Sequence, residues 1–359
     1  MKTQISYSIV LLYILIVSSF RYSALNPDTA NNKGTKEVEK KKIFNPDFDQ
    51  KPSTENLFSD SSGTPGLRAH HALVYDENKK CIILTAGSTP LNGGSDYIVY
   101  DDVWSFKGKK WIPNQNTGDK RSSIRLAYDT KRKKIYSFGG YSPDSSFCDL
   151  RVLDNGQWNI ISRLPPMRAS ECGFVYDIKR DKLIVFGGSS TRGQVNKETW
   201  EWNGTIWKKF NGDNPPGRQA FAMVYDSKRN KTILYGGMGT SPDETFEDTW
   251  EYNGSSWTLV NEKGPGPLHG MGFTYDSKRG QFILFSGMSK SGRNRSTWAF
   301  NGSVWNRLSE QGPPARAMGY MAYDKKRDRV VMFGGRITWP NDVNDTWEWD
   351  GTSWTEIKY

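Results

Sequence analysis

The sequence predicts an all-β fold of six four-stranded units arranged as a six-bladed β-propeller, and three recurrences predict it. The pair Tyr-Asp returns at Tyr75-Asp76, Tyr128-Asp129, Tyr176-Asp177, Tyr225-Asp226, Tyr275-Asp276 and Tyr323-Asp324, at intervals of 53, 48, 49, 50 and 48 residues. About ten residues later comes a small-residue pair: Ala86-Gly87, Gly139-Gly140, Gly187-Gly188, Gly236-Gly237, Ser286-Gly287 and Gly334-Gly335. Two Trp positions seven apart then follow, as Trp104/Trp111, Trp200/Trp207, Trp250/Trp257, Trp298/Trp305 and Trp347/Trp354, with Arg151 replacing the first Trp ahead of Trp158. A repeat of about 50 residues is the signature of a propeller or solenoid. A content of 35 Gly and 14 Trp in 359 residues suits sheets with many tight turns.

Each unit carries four strand signals, clearest in the fourth. Ala220–Tyr225 is strand A and Thr232–Tyr235 is strand B, ending at the glycine pair. Thr249–Tyr252 and Ser256–Leu259 are strands C and D, joined by Asn253-Gly254. Asn-Gly between alternating aromatic runs marks a hairpin, because a type I′ turn needs positive φ at both central positions. It recurs at Asn203-Gly204 and Asn301-Gly302, with Asp350-Gly351 as a variant. One such unit cannot bury both of its faces alone, so the units must pack face to face around an axis.

The glycine pair after strand B and the spaced aromatics resemble the kelch repeat, of the kind found in the central domain of galactose-oxidase-type enzymes. The resemblance covers residues 68–359, with blades near 68–117, 118–164, 165–214, 215–264, 265–312 and 313–359. It implies strand A nearest the central channel. It also implies D–A and B–C loops on one binding face and the A–B and C–D turns on the other. Kelch rings are often closed by a blade built from both termini. All six units here are complete, so closure is expected to rest on blade packing.

Ahead of the repeats, residues 1–24 read as a signal peptide. Lys2 precedes the apolar run Ile9–Val17, with Val17 and Ser19, or alternatively Ala24, marking the cleavage site. Residues 25–67 are polar, with the run Glu37-Val38-Glu39-Lys40-Lys41-Lys42, and read as a disordered linker. The expectation is a secreted or extracytoplasmic monomer with no membrane insertion after cleavage. An odd count of three Cys leaves Cys148 and Cys172, in adjacent blades, as the candidate disulfide, with Cys81 a buried strand thiol. Asn-x-Ser/Thr sequons stand at Asn203, Asn230, Asn253, Asn294, Asn301 and Asn344.

Residues common to the blades serve the blade, so functional candidates are those that break the pattern. Arginines open strand A at Arg68, Arg121, Arg168, Arg218 and Arg316, with Leu268 in the fifth place, and are expected to pair with acidic groups such as Asp248 or Asp345. The A–B turns carry 18 Lys/Arg against 9 Asp/Glu, a net +9 beside +10 for the whole chain. Such a basic ring is able to hold an anionic surface, although solvated turns are the plainer reading. The irregular loops supply the rim candidates Tyr97, Arg192, His269, Arg293, Arg295 and Trp339, aromatics for stacking on sugars and arginines for anions.

No catalytic residue, metal ligand or cofactor motif is found. The copper site of the galactose-oxidase type needs two His and a Tyr on the metal together with a Tyr–Cys cross-link. Here two of only three His, His70 and His71, are adjacent in a strand and point apart. No nucleic-acid motif is present either. The expectation is a binding module for a protein or glycan ligand on the D–A and B–C face. The alternative is a sugar-processing propeller enzyme, mutarotase-like through rim Arg and Glu171 or oxidase-like.

Overall fold

The computed structural model describes residues 63–359 apart from 115, 118, 143–144, 164–168, 191–193 and 242. The residues read from sequence as a signal peptide, and most of those read as a linker, therefore lie outside the described residues. Six antiparallel four-stranded sheets succeed one another along the chain, each with its strands in sequential order. Their A strands are Ala72–Asp76, Arg125–Asp129, Gly173–Asp177, Ala222–Asp226, Gly272–Asp276 and Tyr320–Asp324. These strands surround a central channel, and the chain is a six-bladed propeller.

Every repeated residue has a repeated contact. Asp76 Oδ1 accepts the N–H groups of Asn78 and Lys79, both at 2.9 Å, which fixes the A–B turn. Asp129, Asp226, Asp276 and Asp324 do the same in their turns. The Tyr before the Asp reaches the preceding blade: Tyr128 Oη accepts the Asn78 N–H at 3.1 Å, and Tyr75 Oη accepts that of Lys326 at 3.2 Å. The Tyr-Asp pair thus ties its own turn and its neighbour's.

The second glycine of each pair donates its N–H to the carbonyl at the start of the next blade's strand A. The bonds run Gly87 to Arg121, Gly140 to Ala169, Gly188 to Arg218, Gly237 to Leu268, Gly287 to Arg316 and Gly335 to Arg68, at 2.8–3.0 Å. Glycine is required there. At Gly237 φ is +97°, and a Cβ would lie 2.6 Å from that of Phe221.

The second Trp crosses to the preceding blade and donates Nε1–H to a Thr there: Trp111 to Thr346, Trp257 to Thr199, Trp305 to Thr249 and Trp354 to Thr297, at 2.8–2.9 Å. Each blade-to-blade seam then buries its own apolar cluster. At the seam between the last blade and the first, Ile82, Leu84, Phe106 and Trp111 pack on Ala322, Val331 and Phe333. Closure rests on blade packing, as the complete sequence units imply. The structured unit also starts slightly before Arg68. Thr64, Pro65 and Gly66 are buried, and Tyr100 Oη donates to Leu67 O at 2.9 Å.

Candidate functional site

At the start of strand A, on the face of the D–A and B–C loops, one residue per blade adopts positive φ: His70, Ser123, Glu171, Ala220, Gly270 and Met318. Each N–H donates to the carbonyl of the corresponding residue in the blade before it, and His70 N–H to Met318 O at 3.1 Å closes the circle. This six-membered backbone ring surrounds the channel mouth. L-residues avoid that conformation unless the surrounding structure imposes it. Here the ring itself fixes the residues, and their side chains define the mouth.

Three consecutive blades place polar groups on the ring. His70 Nδ1 lies 3.1 Å from Glu171 Oε1 and 3.1 Å from Ser123 Oγ. Burial works to raise the Glu171 pKa. The hydrogen bond from His70 and the charges of His70, Arg125 and His269 outweigh it and hold the carboxyl below its ordinary range. Glu171 is therefore an anion at neutral pH, half-buried at the mouth, and its position was suspected from sequence only in the enzymatic alternative.

The aromatic candidates meet across the seam of the first and last blades. The Tyr97 and Trp339 rings lie 6.3 Å apart between centroids, and the Arg336 guanidinium sits 4.7 Å from the Trp339 ring. Arg336 is held by Asp342 through two hydrogen bonds of 2.7 and 3.1 Å. A Cβ at Gly94 would stand 2.5 Å from Trp339, so glycine admits this approach of the two hairpins. These residues form a half-buried aromatic shelf on the B–C loops of the first and last blades.

The remaining candidates separate. His269 is buried, and its Nδ1 has no hydrogen-bond partner. Burial holds its pKa down at about 4, with Glu171 opposing and Arg293 and His70 reinforcing the shift. Arg293 stands in a two-residue strand opposite Met288 and acts on His269 through its charge. Arg295 donates to Gly312 O at 2.7 Å. Arg192 lies outside the described residues. No disulfide joins the candidate pair Cys148 and Cys172, and Cys81 is buried as expected for a strand thiol. Among the described residues, no group of three His, Cys, Asp or Glu converges as metal ligands would.

The strand-opening arginines are clamps. Arg68, Arg121, Arg218 and Arg316 are buried and engage Asp102, Asp149, Asp248 and Asp345 in two-pronged pairs with bonds of 2.5–3.0 Å. The third blade corrects the sequence alignment. Its equivalent position is Ala169, which accepts from Gly140 as Arg121 accepts from Gly87, and Arg168 lies outside the described residues. On the opposite face, much of the basic ring is spent on neighbouring blades. Arg132 pairs with Asp181 at 2.6 Å, Arg279 with Asp328 at 2.7 Å, and Lys325 with Glu77.

Sequence reasoning missed two residues in the channel. Four of the six blades place Ala or Gly at the first channel-facing level of strand A, namely Ala72, Gly173, Ala222 and Gly272. The other two place Arg125 and Tyr320 there, and Arg125 Nη2 donates to Tyr320 Oη across the lumen at 3.2 Å. Comparing the strands position by position, rather than only the loops, exposes both.

Comparison with known proteins agrees with this architecture. The profile of the KLHDC2/KLHL20/DRC7 Kelch-repeats domain matches residues 180–359, half of the chain. The chain belongs to the kelch-repeat propellers, a family whose members commonly serve as protein-interaction modules. Among curated proteins it is similar to a tRNA wybutosine-synthesizing protein 4 of Aspergillus fumigatus, with 22% identity over 195 residues, 51% of this chain and 18% of that protein. It is also similar to the human Rab9 effector protein with kelch motifs, with 30% identity over 100 residues, 25% of this chain and 27% of that protein. These matches therefore span about a quarter or less of either relative's length.

Proposed function

We propose that this propeller is an exported protein-interaction module that takes its partner on the D–A and B–C face. One observation carries the reading. The Glu171–His70–Ser123 cluster stands where the repeat otherwise supplies Ala, Gly or Met, beside the Tyr97–Trp339 shelf. An ionised carboxylate next to rigid aromatic rings suits a polypeptide that presents a basic or apolar side chain, since aromatic anchors and desolvated charges dominate such interfaces. The kelch family and the effector named among the relatives support a protein over a glycan. Export rests on the apolar run Ile9–Val17 and its small-residue cleavage positions.

Two measurements test this. Tagged full-length chain, expressed in cells, is expected in the medium with a new N-terminus after Ser19 or Ala24. Retention in the cell with an intact N-terminus rejects export. A partner enriched on the wild-type chain is then titrated against Y97A/E171A/W339A and against a variant with Lys131, Arg132, Lys133 and Lys134 neutralised. At least a tenfold loss is expected for the first and little change for the second. The reverse pattern moves the binding site to the basic face.

A further inference from the structure

The channel beneath the ring is a cavity of about 280 Å³ whose lining contains none of the six ring residues. It runs from the A–B turns, where Glu77, Thr130, Ile178 and Lys325 stand, up to His71, Arg125 and Tyr320. Four residues of strand A separate these levels, a depth of about 13 Å. The middle level of strand A between them is slim and mostly apolar, with Val74, Ala127, Val175, Val224 and Ala322 beside Thr274, while Thr130, Ser227 and Ser277 stand at the A–B turn end. The lumen is therefore a pocket with greasy sides, open toward the A–B turns, with one cation at its inner end.

That cation is underused. Arg125 donates to Cys172 O at 3.0 Å, to Ile124 O at 3.2 Å and to Tyr320 Oη at 3.2 Å, all neutral oxygens. A guanidinium carries five N–H donors. Glu171, the carboxylate that acts on Arg125 from above, does not line the channel and is already bonded to His70. A guanidinium facing an apolar lumen without a bonded anion is costly unless a ligand supplies one. The contrast with Arg68, Arg121, Arg218 and Arg316, each clamped by an Asp, is direct. At the outer end, Tyr75, Glu77, Lys80, Lys325 and Lys326 border the opening; Glu77 pairs with Lys325, and Lys80 and Lys326 leave the rim net positive, which favours approach of an anion.

We propose that this channel binds a slim organic carboxylate, entering from the A–B turn face, with its head on Arg125 and its hydrocarbon stem along the valine and alanine wall. The planar fork of Arg fits a carboxylate, and the wall offers almost no donors for a sugar or a polyphosphate. A small free acid, rather than a macromolecule, fits the width left by side chains of this size. The site is separate from the D–A and B–C face and stands whether or not a protein binds there.

The test is calorimetric titration of the full chain with octanoate, octanamide and acetate. Octanoate is expected to bind saturably at one per chain, with octanamide and acetate at least tenfold weaker. Arg125→Met removes the fork, and Val224→Phe fills the lumen without touching Arg125; each is expected to weaken octanoate at least tenfold. The variant Y97A/W339A, which leaves the Glu171 charge beside Arg125 in place, is expected to bind octanoate as the wild type does. Absence of saturable binding overturns the proposal, as does equal binding of octanoate and octanamide. Wild-type affinity in a folded Val224→Phe chain, judged by its unfolding temperature, also overturns it, and this variant decides the matter if Arg125→Met fails to fold.

Discussion

The fourth and fifth blades follow the same plan but differ at the D–A and B–C loop end of their sheets. In the fourth, Arg218 is fully buried, and its guanidinium meets both oxygens of Asp248 at 2.6 and 3.0 Å. Trp250 Nε1 donates to the same carboxylate at 2.8 Å. In the fifth, Leu268 replaces the arginine and Ser296 stands two residues before Trp298, where the Asp would be. Leu268 is buried and joins the apolar cluster of that seam. Both members of the ion pair have gone together, and the backbone bond from Gly237 to Leu268 O is unchanged at 2.8 Å. The fold thus needs the carbonyl at this position, and the charge is optional only as a pair. A buried ion pair can be exchanged for apolar packing at little cost, whereas removing one partner strands a charge.

The largest effect expected from this contrast is on Asp248. Asp248→Ala leaves Arg218 buried and unpaired, and the expected loss is about 3–5 kcal/mol. The double change R218L/D248S reproduces the fifth blade and should lose clearly less than the single change. Urea unfolding of the two variants decides. Equal losses would show that Asp248 matters for Trp250 or for packing rather than for the charge it neutralises.

The unclamped fifth blade also carries His269, next to Leu268, and this gives a pH dependence. Its folded pKa, held by burial at about 4, lies below the ordinary value near 6.5. The unfolded chain therefore binds the proton more readily than the folded one between those two values. Stability from this residue is complete above pH 6.5 and falls as the pH drops toward 4, by about 3 kcal/mol for that separation. His71, also lowered by burial, slopes in the same direction. His269→Gln is expected to flatten the unfolding free energy between pH 6.5 and 4 while leaving its value at pH 8 nearly unchanged. The other blades carry Ala69, Ser122, Ser170, Gln219 and Ala317 at this position, so Gln has a precedent in the fourth. An unaltered slope would assign the acid sensitivity to His71 instead.

The architecture was readable because most repeated residues make the same contact from blade to blade: Tyr and Asp at the turns, glycine at the seam, tryptophan on threonine in four blades. What was harder to read follows from geometry that spacing does not encode. Arg168 looked like a clamp because it opens a strand, yet counting back from Asp177 as from Asp129 or Asp226 reaches Ala169. The arginine stands one residue earlier in the sequence than in the other blades. Tyr97 and Trp339 stood out as irregular, but their meeting required knowing that the first and last blades are neighbours. Arg125 and Tyr320 went unremarked because a lone polar residue inside an otherwise ordinary strand resembles drift until the lumen around it is seen to be apolar.

The second blade offers the finest version of the comparison, since it has compensated one loss and not another. Arg151 stands in for the first Trp and keeps its role, donating Nε–H to Asp149 Oδ2 at 2.6 Å as Trp250 does to Asp248. The residue before it, however, is Leu150 where four of the other five blades have Thr, and the Trp207 Nε1–H that should be accepted there is buried without a partner. Trp257, by contrast, donates to Thr199 at 2.9 Å. Replacing either Trp by Phe removes similar ring volume, but only Trp257→Phe also gives up a satisfied hydrogen bond. Trp257→Phe is expected to cost about 1–2 kcal/mol more than Trp207→Phe. Placing the acceptor back through Leu150→Thr should then make Trp207→Phe costlier than it is on the wild-type background, a double-mutant cycle read by urea unfolding. No coupling between positions 150 and 207 would mean that the indole bond adds nothing beyond packing, and the threonine that recurs before the first Trp would need another explanation.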